Sequence, residues 1–582
     1  MWCQIFIVAL CVATAACADG WFAPFQRVSD YKPKGPTHCF RQFNIDWSWI
    51  ALRPEQVTEF LSEADPVALA EFCHRTHVDG TVVMAVPHHG YCTYETRVGT
   101  KFPGMKGDWF CRTIEELHKR RIAAFGYVTL NWNWKFIREN LGRDFIHGKP
   151  DADGICTSRC TICLNAPGYL ELVEAYTREV LEDYPVDGMR WDILKTAEGC
   201  LCTGCKKFYR ETYGEELTDW DKTEPRRVYD FYLATTGRVV TRLHSLCKRI
   251  KPSVEIWQNS IQSYHPNHLD LSRQMDIAYN EYGDPFRLLF IRGVANKPAA
   301  INGLMNKTPT EPPVPLDRRE WRTCLALGGR CYSYYGHKQT NPRTLLPNET
   351  MLAWHREQLA PFYEMVSQIE PWLQDAVPVS HVGIVFSERT RFRFPKYDRT
   401  PYIAAMEPIA NACLQRSAPV EFVNCLDLDK SLSRFKLLIL PLTYGLTADE
   451  LECLRRYVRD GGNLLVSGDA LPFPSSGKGK VVHLPKLNSP ELIERLAGPA
   501  PVVVQPPESR VILTQQASHH RWVLHLLDDG PCTVEIRREF AAPTKIAHQY
   551  PASGWTCAAE KTSTGLRLKA SGPAGDRLLV VE

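Results

Sequence analysis

Beyond its N-terminus the 582-residue chain has no apolar run of the roughly 20 residues that a bilayer crossing needs, so no membrane span is expected. It also lacks any block of like charge: 69 basic residues face 66 acidic ones, a net charge of +3. That balance argues against nucleic acid or an anionic membrane surface as the main partner. No internal repeat or low-complexity tract occurs, which excludes solenoid arrays. What is present is ample core material, 44% hydrophobic with 11% aromatic residues, and this excludes a largely disordered chain. Such a length exceeds what one core organises, and two to four domains follow.

The N-terminus, "MWCQIFIVALCVATAACADGW", joins a short apolar run to small residues, with Ala16-Cys17-Ala18 as a cleavage site of the A-x-A kind. Its leading segment lacks the usual Lys or Arg, yet residues 1–18 read as a signal peptide, hence a secreted or periplasmic protein. Of the 21 cysteines, three precede residue 19. Export permits disulfides, so cysteine count alone does not separate bridges from metal ligation.

From about residue 35 to 370, short β-rich runs alternate with helical stretches. The runs are 41–49, 80–86, 122–130, 186–193, 253–259, 275–281, 298–305 and 329–335, with helices such as Pro167–Tyr184 and Arg227–Ile250 between them. Eight such units predict a (β/α)₈ TIM barrel over 19–375. From 376 to 495 the strand-like "HVGIVFS" and "FKLLILPL" and a capping box at Thr447 and Glu450 predict a doubly wound α/β domain. That stretch has no glycine-rich phosphate fingerprint and no cysteine at a strand-to-helix elbow, so a non-catalytic role is expected. Residues 508–582 alternate strand-like runs with turns, as in a small β-sandwich.

In a TIM barrel the polar residues just past each strand face the catalytic mouth. Here they include Asp46, His88, His89, Asn131, Asp192, Asn259 and Glu281. Retaining cleavage of a glycoside needs a carboxylate nucleophile and a second carboxyl acting as acid and then base. Asp192, ending the fourth apolar run, is the candidate nucleophile, with Arg190 and Trp191 shaping the pocket. Glu281, ending the sixth, is the candidate acid/base, with Asn280 and Tyr282 placed to tune it; Glu255 and Glu95 are weaker candidates. The cluster "CTSRCTICLN" followed by "CLCTGC" has a C-x-C-x-x-C spacing with a fourth cysteine upstream, which suits a tetrahedral structural zinc or, in an oxidising compartment, two disulfides.

The stretches "CLNAPGYLELVEAY" and "CLCTGCKKFYRETYG" resemble the family 42 β-galactosidases and their uncharacterised relatives. That resemblance implies Cys163, Cys200, Cys202 and Cys205 as zinc ligands, and a barrel followed by a glutamine-amidotransferase-like domain without a nucleophile and a small β-domain. Those enzymes carry Asn-Glu on the fourth strand where this chain has Trp191-Asp192. "PHHG" after the second strand and "DGMRWD" on the fourth are more similar to the α-L-fucosidases of families 29 and 151. This second resemblance implies His88 and His89 as sugar contacts and Asp192 as nucleophile; Glu281 rests on the chain's own pattern. The joint expectation is a secreted, retaining, α-L-fucosidase-like hydrolase acting on a glycoside or oligosaccharide, with Asp46, Asn131, Trp191 and Asn259 also touching substrate. No cofactor is expected for catalysis. A β-galactosidase-like enzyme, a carbohydrate-binding pseudoenzyme and assembly into a homo-oligomer stay open.

Overall fold

A computed structural model describes residues 30–48, 56–151, 156, 160–195, 199–259, 269–281, 283–301, 315–336, 340–391, 400–442, 444–468, 477–484, 490–540, 543–572 and 575–582. The expected signal peptide and Tyr282 lie outside the described residues.

Eight parallel strands form one sheet: β1 (Arg41–Asp46), β2 (Gly80–Val86), β3 (Ala123–Thr129), β4 (Gly188–Asp192), β5 (Glu255–Gln258), β6 (Ala278–Asn280), β7 (Ala299–Ile301) and β8 (Gly329–Gly336). Their order is β5-β4-β3-β2-β1-β8-β7-β6. The two ends meet: Asp276 N donates to Ile256 O at 3.0 Å, and Ile256 N donates to the Asp276 carboxylate at 2.9 Å. The sheet is thus a nearly closed barrel. Every residue of β2 and β3 is buried, because helices cover the outer face and side chains fill the interior, and this is why those strands read as unbroken apolar runs.

The covering helices begin where an Asp caps the first turn. Asp65 accepts from Val67 N before α1 (Pro66–Arg75), Asp108 from Cys111 N before α2 (Trp109–Lys119). Then follow α3 (Tyr169–Asp183), α4 (Thr203–Tyr213) and α5 (Pro225–Ile250). Asp284 accepts from Arg287 N before α6 (Pro285–Ala295), and Asp317 from Glu320 N before α7 (Arg318–Ala326). In α1 and α6 a proline at the first position supplies a φ already suited to the helix.

After α8 (Ala360–Leu373) come β9 (Val382–Phe386), β10 (Val420–Asn424), β11 (Leu437–Leu440), β12 (Asn463–Ser467) and β13 (Val481–Leu484), a parallel sheet in the order β10-β9-β11-β12-β13. The predicted capping box opens α9 (Ala448–Arg459), with Thr447 and Glu450 each accepting from the other's backbone N–H. The barrel and this sheet share a core. Phe290 of α6 lies 5.3 Å from Phe386 and 5.2 Å from Phe422, ring centre to ring centre. The approach is so close that a Cβ on Gly293 would stand 2.3 Å from Phe422 O, so glycine is needed there.

The rest of the chain is antiparallel. β14 (Val502–Gln505), β15 (Val511–Gln516), β16 (Arg521–Leu526), β17 (Cys532–Arg537), β18 (Ile546–Tyr550), β19 (Thr556–Lys561), β20 (Gly565–Ser571) and β21 (Arg577–Val581) make two sheets. One runs β14-β17-β20-β19; the other runs β15-β16-β21-β18 and is extended by Val377–Pro378 pairing with β15. Between them lies a separate apolar core that includes Trp555, Leu513, Leu568 and Leu579. Among the described residues no helix is long and apolar enough to cross a membrane.

Candidate active site

The register of the barrel decides which side chains point inward. Thr129 of β3 pairs with Asp192 of β4 and Tyr127 with Arg190, while Arg190 pairs with Trp257 of β5. Residues two apart share a face, so Arg190 and Asp192 line the interior and Trp191 must point away. Accordingly the Trp191 indole N–H reaches Thr177 Oγ1 of α3 at 3.3 Å. The expectation that Trp191 touches substrate is corrected by this alternation: it packs the outer layer.

Asp192 is buried, with 3% of its surface exposed, and three donors hold its carboxylate. Tyr127 OH donates to Oδ2 at 2.8 Å; Asn259 Nδ2 and the Ile193 backbone N–H each donate to Oδ1 at 2.7 Å. The last bond has a backbone cost. Ile193 sits at φ 60°, a left-handed conformation that a β-branched residue resists. Strain of this kind, held by the surrounding structure, gathers at functional sites. Asn259, expected as a substrate contact after β5, is brought by the structure to Asp192. Tyr127 was not anticipated, because it lies inside β3 rather than past its end, although the same two-residue alternation puts it on the Asp192 face.

Asp46 ends β1 and is partly buried, accepting from the Ser48 hydroxyl and, at 3.2 Å, from Ser48 N. Burial pushes its carboxyl up to about 6; the Ser48 bond and the nearby Arg190 oppose this, whereas the charges of Asp192 and Glu281 add to it. Glu281, just past β6, is likewise partly exposed. Its charge and that of Asp192 act together on Asp46, Tyr279 and Lys195, so three carboxyls surround one space. Glu255 and Glu95 lie apart from it. Glu255 accepts from Thr37 N at 2.8 Å at the opposite end of the barrel, and Glu95 pairs with Lys101.

The two histidines diverge, as neighbours after a strand must. His88 is fully buried, with Nδ1 2.8 Å from Thr129 Oγ1 and its ring edge-on to Trp132 at 5.1 Å. Burial pulls its imidazole down to about 4, so it is neutral at physiological pH. His89 stacks against Trp47 at 5.8 Å and lies among Phe60, Phe102 and Trp134. Asn131 spends its amide on backbone: Nδ2 donates to Ile162 O at 2.7 Å and Lys195 O at 2.8 Å, and Oδ1 accepts from Lys195 N at 2.9 Å. That uses its two amide hydrogens, so the structure gives Asn131 the work of fixing the β4 exit rather than the expected contact with substrate.

Beneath these residues Arg190 forms the floor. Its guanidinium bonds to Tyr332 OH and lies 5.0 Å from the Tyr279 ring and 5.2 Å from that of Tyr332. Its charge opposes the upward push that burial gives the Asp46 carboxyl.

The four named cysteines converge beside the barrel. The sulfurs of Cys163, Cys200, Cys202 and Cys205 all lie within 4.8 Å of one another and are buried. Cys163 Sγ is 3.3 Å from Cys205 Sγ and 3.8 Å from Cys202 Sγ, and all four are free of disulfides. Four thiolates about 2.3 Å from one zinc ion stand roughly 3.8 Å apart, so the set fits such an ion. Backbone N–H groups of Asn165 and Cys205 point at the sulfurs, each at 3.3 Å, as thiolate ligation requires of its surroundings.

No family model matches the chain. Among curated proteins, β-galactosidase BgaB of Geobacillus kaustophilus is 21% identical over 382 residues, spanning 53% of this chain and 56% of the relative. The chain thus matches little more than half the length of that curated relative. Among solved structures, α-L-fucosidase isoenzyme 2 of Paenibacillus thiaminolyticus superposes with a TM-score of 0.72 at 15% identity, covering 93% of this chain and 99% of the other. A β-galactosidase of Bacillus circulans sp. alkalophilus does so with 0.65 at 12% identity, covering 95% and 99%. In fold, the chain therefore resembles both α-L-fucosidases and β-galactosidases along nearly its whole length.

Proposed function

We propose that the protein is a retaining glycoside hydrolase of the α-L-fucosidase type. The observation that carries this reading is Asp192, a carboxylate held by three donors at a strained elbow, at the end of the barrel where its charge and that of Glu281 act on Asp46. In this reading Asp192 attacks the anomeric carbon and the leaving oxygen takes a proton from Glu281. Water then displaces the ester, and Glu281 removes the water's proton. Tyr127 and Asn259 orient Asp192, and neutral His88 contributes a hydrogen bond to a sugar hydroxyl. His89 supports the aromatic wall. The terminal α-L-fucoside is favoured by the two histidines after β2 and by an aspartate where the family 42 enzymes carry Asn-Glu. A β-galactoside is the second reading, supported by the match to BgaB.

The four cysteines are proposed to hold a structural zinc, a closed tetrahedral ion that cross-links the α4 loop to the β3–α3 connection and takes no part in turnover. Export, with loss of residues 1–18, completes the proposal. The β9–β13 unit is read as an amidotransferase-like domain without catalysis.

A panel of aryl α- and β-glycosides, assayed with the purified protein and with Asp192→Asn, tests the reading. The expected result is turnover of an α-L-fucoside by the native chain and none by the variant. Binding of sugar without turnover of any glycoside would make the protein a carbohydrate-binding pseudoenzyme.

A further inference from the structure

A second cavity lies at the amino end of the barrel, opposite the three carboxyls. It is bounded by the starts of β7 and β8, the last turn of α6 and the outer strand β10. Its volume is about 490 Å³, within the range of small-molecule sites. Five cations line it, Arg292, Lys297, Arg330, Lys430 and Arg434, against the carboxylates of Asp375, Glu421 and Asp427. Each carboxylate already has a donor. Glu421 lies 3.0 Å from Arg292 Nη2 and 3.3 Å from Arg434 Nη1. Asp427 takes Arg273 at 2.8 Å, from outside the lining, and Asp375 accepts from Gln374 Nε2 at 3.1 Å.

The cations are less well matched. Arg330 has only 8% of its surface exposed and lies 4.3 Å from the centre of the Phe40 ring. Its Nε donates to Thr37 O at 2.8 Å and its Nη1 to Gly328 O at 2.9 Å, while among the described residues Nη2 bonds to nothing and no carboxylate pairs with it. Arg292 comes to the same glycine from α6: a Cβ on Gly328 would stand 3.6 Å from its Nη1. Arg292 spends only Nη2, on Glu421; its Nε is buried and unbonded. Lys297 and Lys430 form no ion pair among the described residues. Two guanidiniums that meet at one glycine with nitrogens to spare are costly to hold together unless an anion joins them.

We propose that this crevice binds a tetrahedral oxoanion, a phosphate or sulfate group, between the free nitrogens of Arg292 and Arg330, with Lys297 and Lys430 at its rim. The planar forks of two arginines suit the paired oxygens of such a group. The volume leaves room for a small sugar carrying it as an ester. Because Arg292 and Arg330 belong to the barrel and Lys430 and Arg434 to the segment after β10, the ligand joins the two units. The site is independent of the reaction proposed for Asp192.

The test is calorimetric titration of the full chain with inorganic phosphate, inorganic sulfate, a hexose phosphate, a hexose sulfate and the bare hexose, with chloride at matched ionic strength as the blank. The oxoanions should bind and the bare hexose should not. Preference for the esters would name the sugar ester as the ligand, and equal affinity the free ion. Arg292→Gln and Lys297→Met, each checked for folding by thermal melting, should each weaken binding by about tenfold, the size of one charge-assisted hydrogen bond. Arg330→Lys keeps the buried charge and removes the fork, so it should lose affinity as well. Phosphate and sulfate also stabilise folded proteins by exclusion from their surface, but that effect would persist in every variant. No heat above the chloride blank, or undiminished affinity in folded Arg292→Gln and Lys297→Met, would overturn the proposal.

Discussion

At the carboxyl edge of the barrel sheet three carboxyls, Asp46, Asp192 and Glu281, lie near one another, with Asp192 held by Tyr127, Asn259 and the Ile193 N–H. At the carboxyl edge of the β9–β13 sheet many polar groups among the described residues are spent on a neighbour. Sheets of this strand order bind ligands where the strand direction of travel reverses, beyond the ends of β9 and β11. There Thr390 Oγ1 accepts from Tyr444 N at 3.1 Å and Gly445 N at 3.0 Å, and Arg389 Nε donates to Gly445 O at 2.7 Å. Glu388 accepts from Leu269 N at 3.1 Å and from Arg391 Nε at 3.2 Å. Asn424 Nδ2 donates to Asp270 at 2.6 Å, and Arg273 pairs with Asp427 at 2.8 Å. Residues 269–274 belong to the connection between β5 and β6, so the barrel fills the crevice of its neighbour. Two parallel sheets offer the same kind of opening; one gathers three carboxyls there, and the described residues at the other are bonded to the neighbouring barrel.

The comparison is broken most severely at Asp192. Asp192→Gly should abolish turnover, with azide restoring activity by entering the vacated space, because no other inward side chain of β4 can form the ester. Glu281→Ala should cost about 10²–10⁴-fold on substrates with poor leaving groups and far less on activated aryl glycosides. Equal losses on both would take Glu281 out of the acid role.

The metal-like cluster gives the next largest effect, on stability rather than rate. Cys202→Ser should release about one zinc per chain and cost several kcal/mol, since binding of a structural ion is coupled to folding. Metal analysis and thermal melting check this. Native protein carrying disulfides between Cys200, Cys202 and Cys205 would refute it.

How much of this was legible in the sequence follows from which signals are one-dimensional. Burial on both faces makes β2 and β3 continuous apolar runs, so barrel strands and their polar ends could be located, and Asp46, Asp192, Asn259 and Glu281 do lie at one mouth. Orientation was partly legible. Placing Asp192 inward already forces Trp191 outward. What adjacency along the chain does not carry is who meets whom across strands. Tyr127 reaches Asp192 from 65 residues away, and Asn131 reaches Lys195 from 64. The left-handed turn at Ile193 gives no composition signal, since glycine or asparagine would be the usual marker. Glu255 looks like any strand carboxylate until the strand direction puts it at the amino end, against Thr37.

The filled edge can be opened without touching the barrel mouth. Asp427→Ala leaves Arg273, whose side chain is 27% exposed, without its carboxylate, and Asn424→Ala removes the bond to Asp270. Each should lower stability by about 1–3 kcal/mol, the range for a half-buried polar group left unpaired. Because Asn259 opens the same connection and Glu281 follows the strand it feeds, kcat should fall severalfold while the pH profile keeps its shape. A displaced profile would mean that the two edges are electrically coupled as well as mechanically joined.

The smallest effect is the most specific to the barrel edge. Asp46 is pushed up to about 6 from an ordinary value of 3.8, chiefly by burial. The folded state thus binds its proton more tightly than the unfolded chain does. That contribution to stability is fully present below about pH 4 and is lost as pH rises through 6, where Asp46 must ionise in a poorly solvated place. Asp46→Asn cannot ionise, so it should be more stable than the native chain at pH 8, by up to about 3 kcal/mol, and show no gain at pH 4. Loss of activity in the same variant would mark Asp46 as part of the proposed site. Melting curves of both proteins across pH 4 to 8 decide the matter. A constant difference at every pH would mean that Asp46 keeps an ordinary carboxylate affinity and contributes only its hydrogen bonds to Ser48.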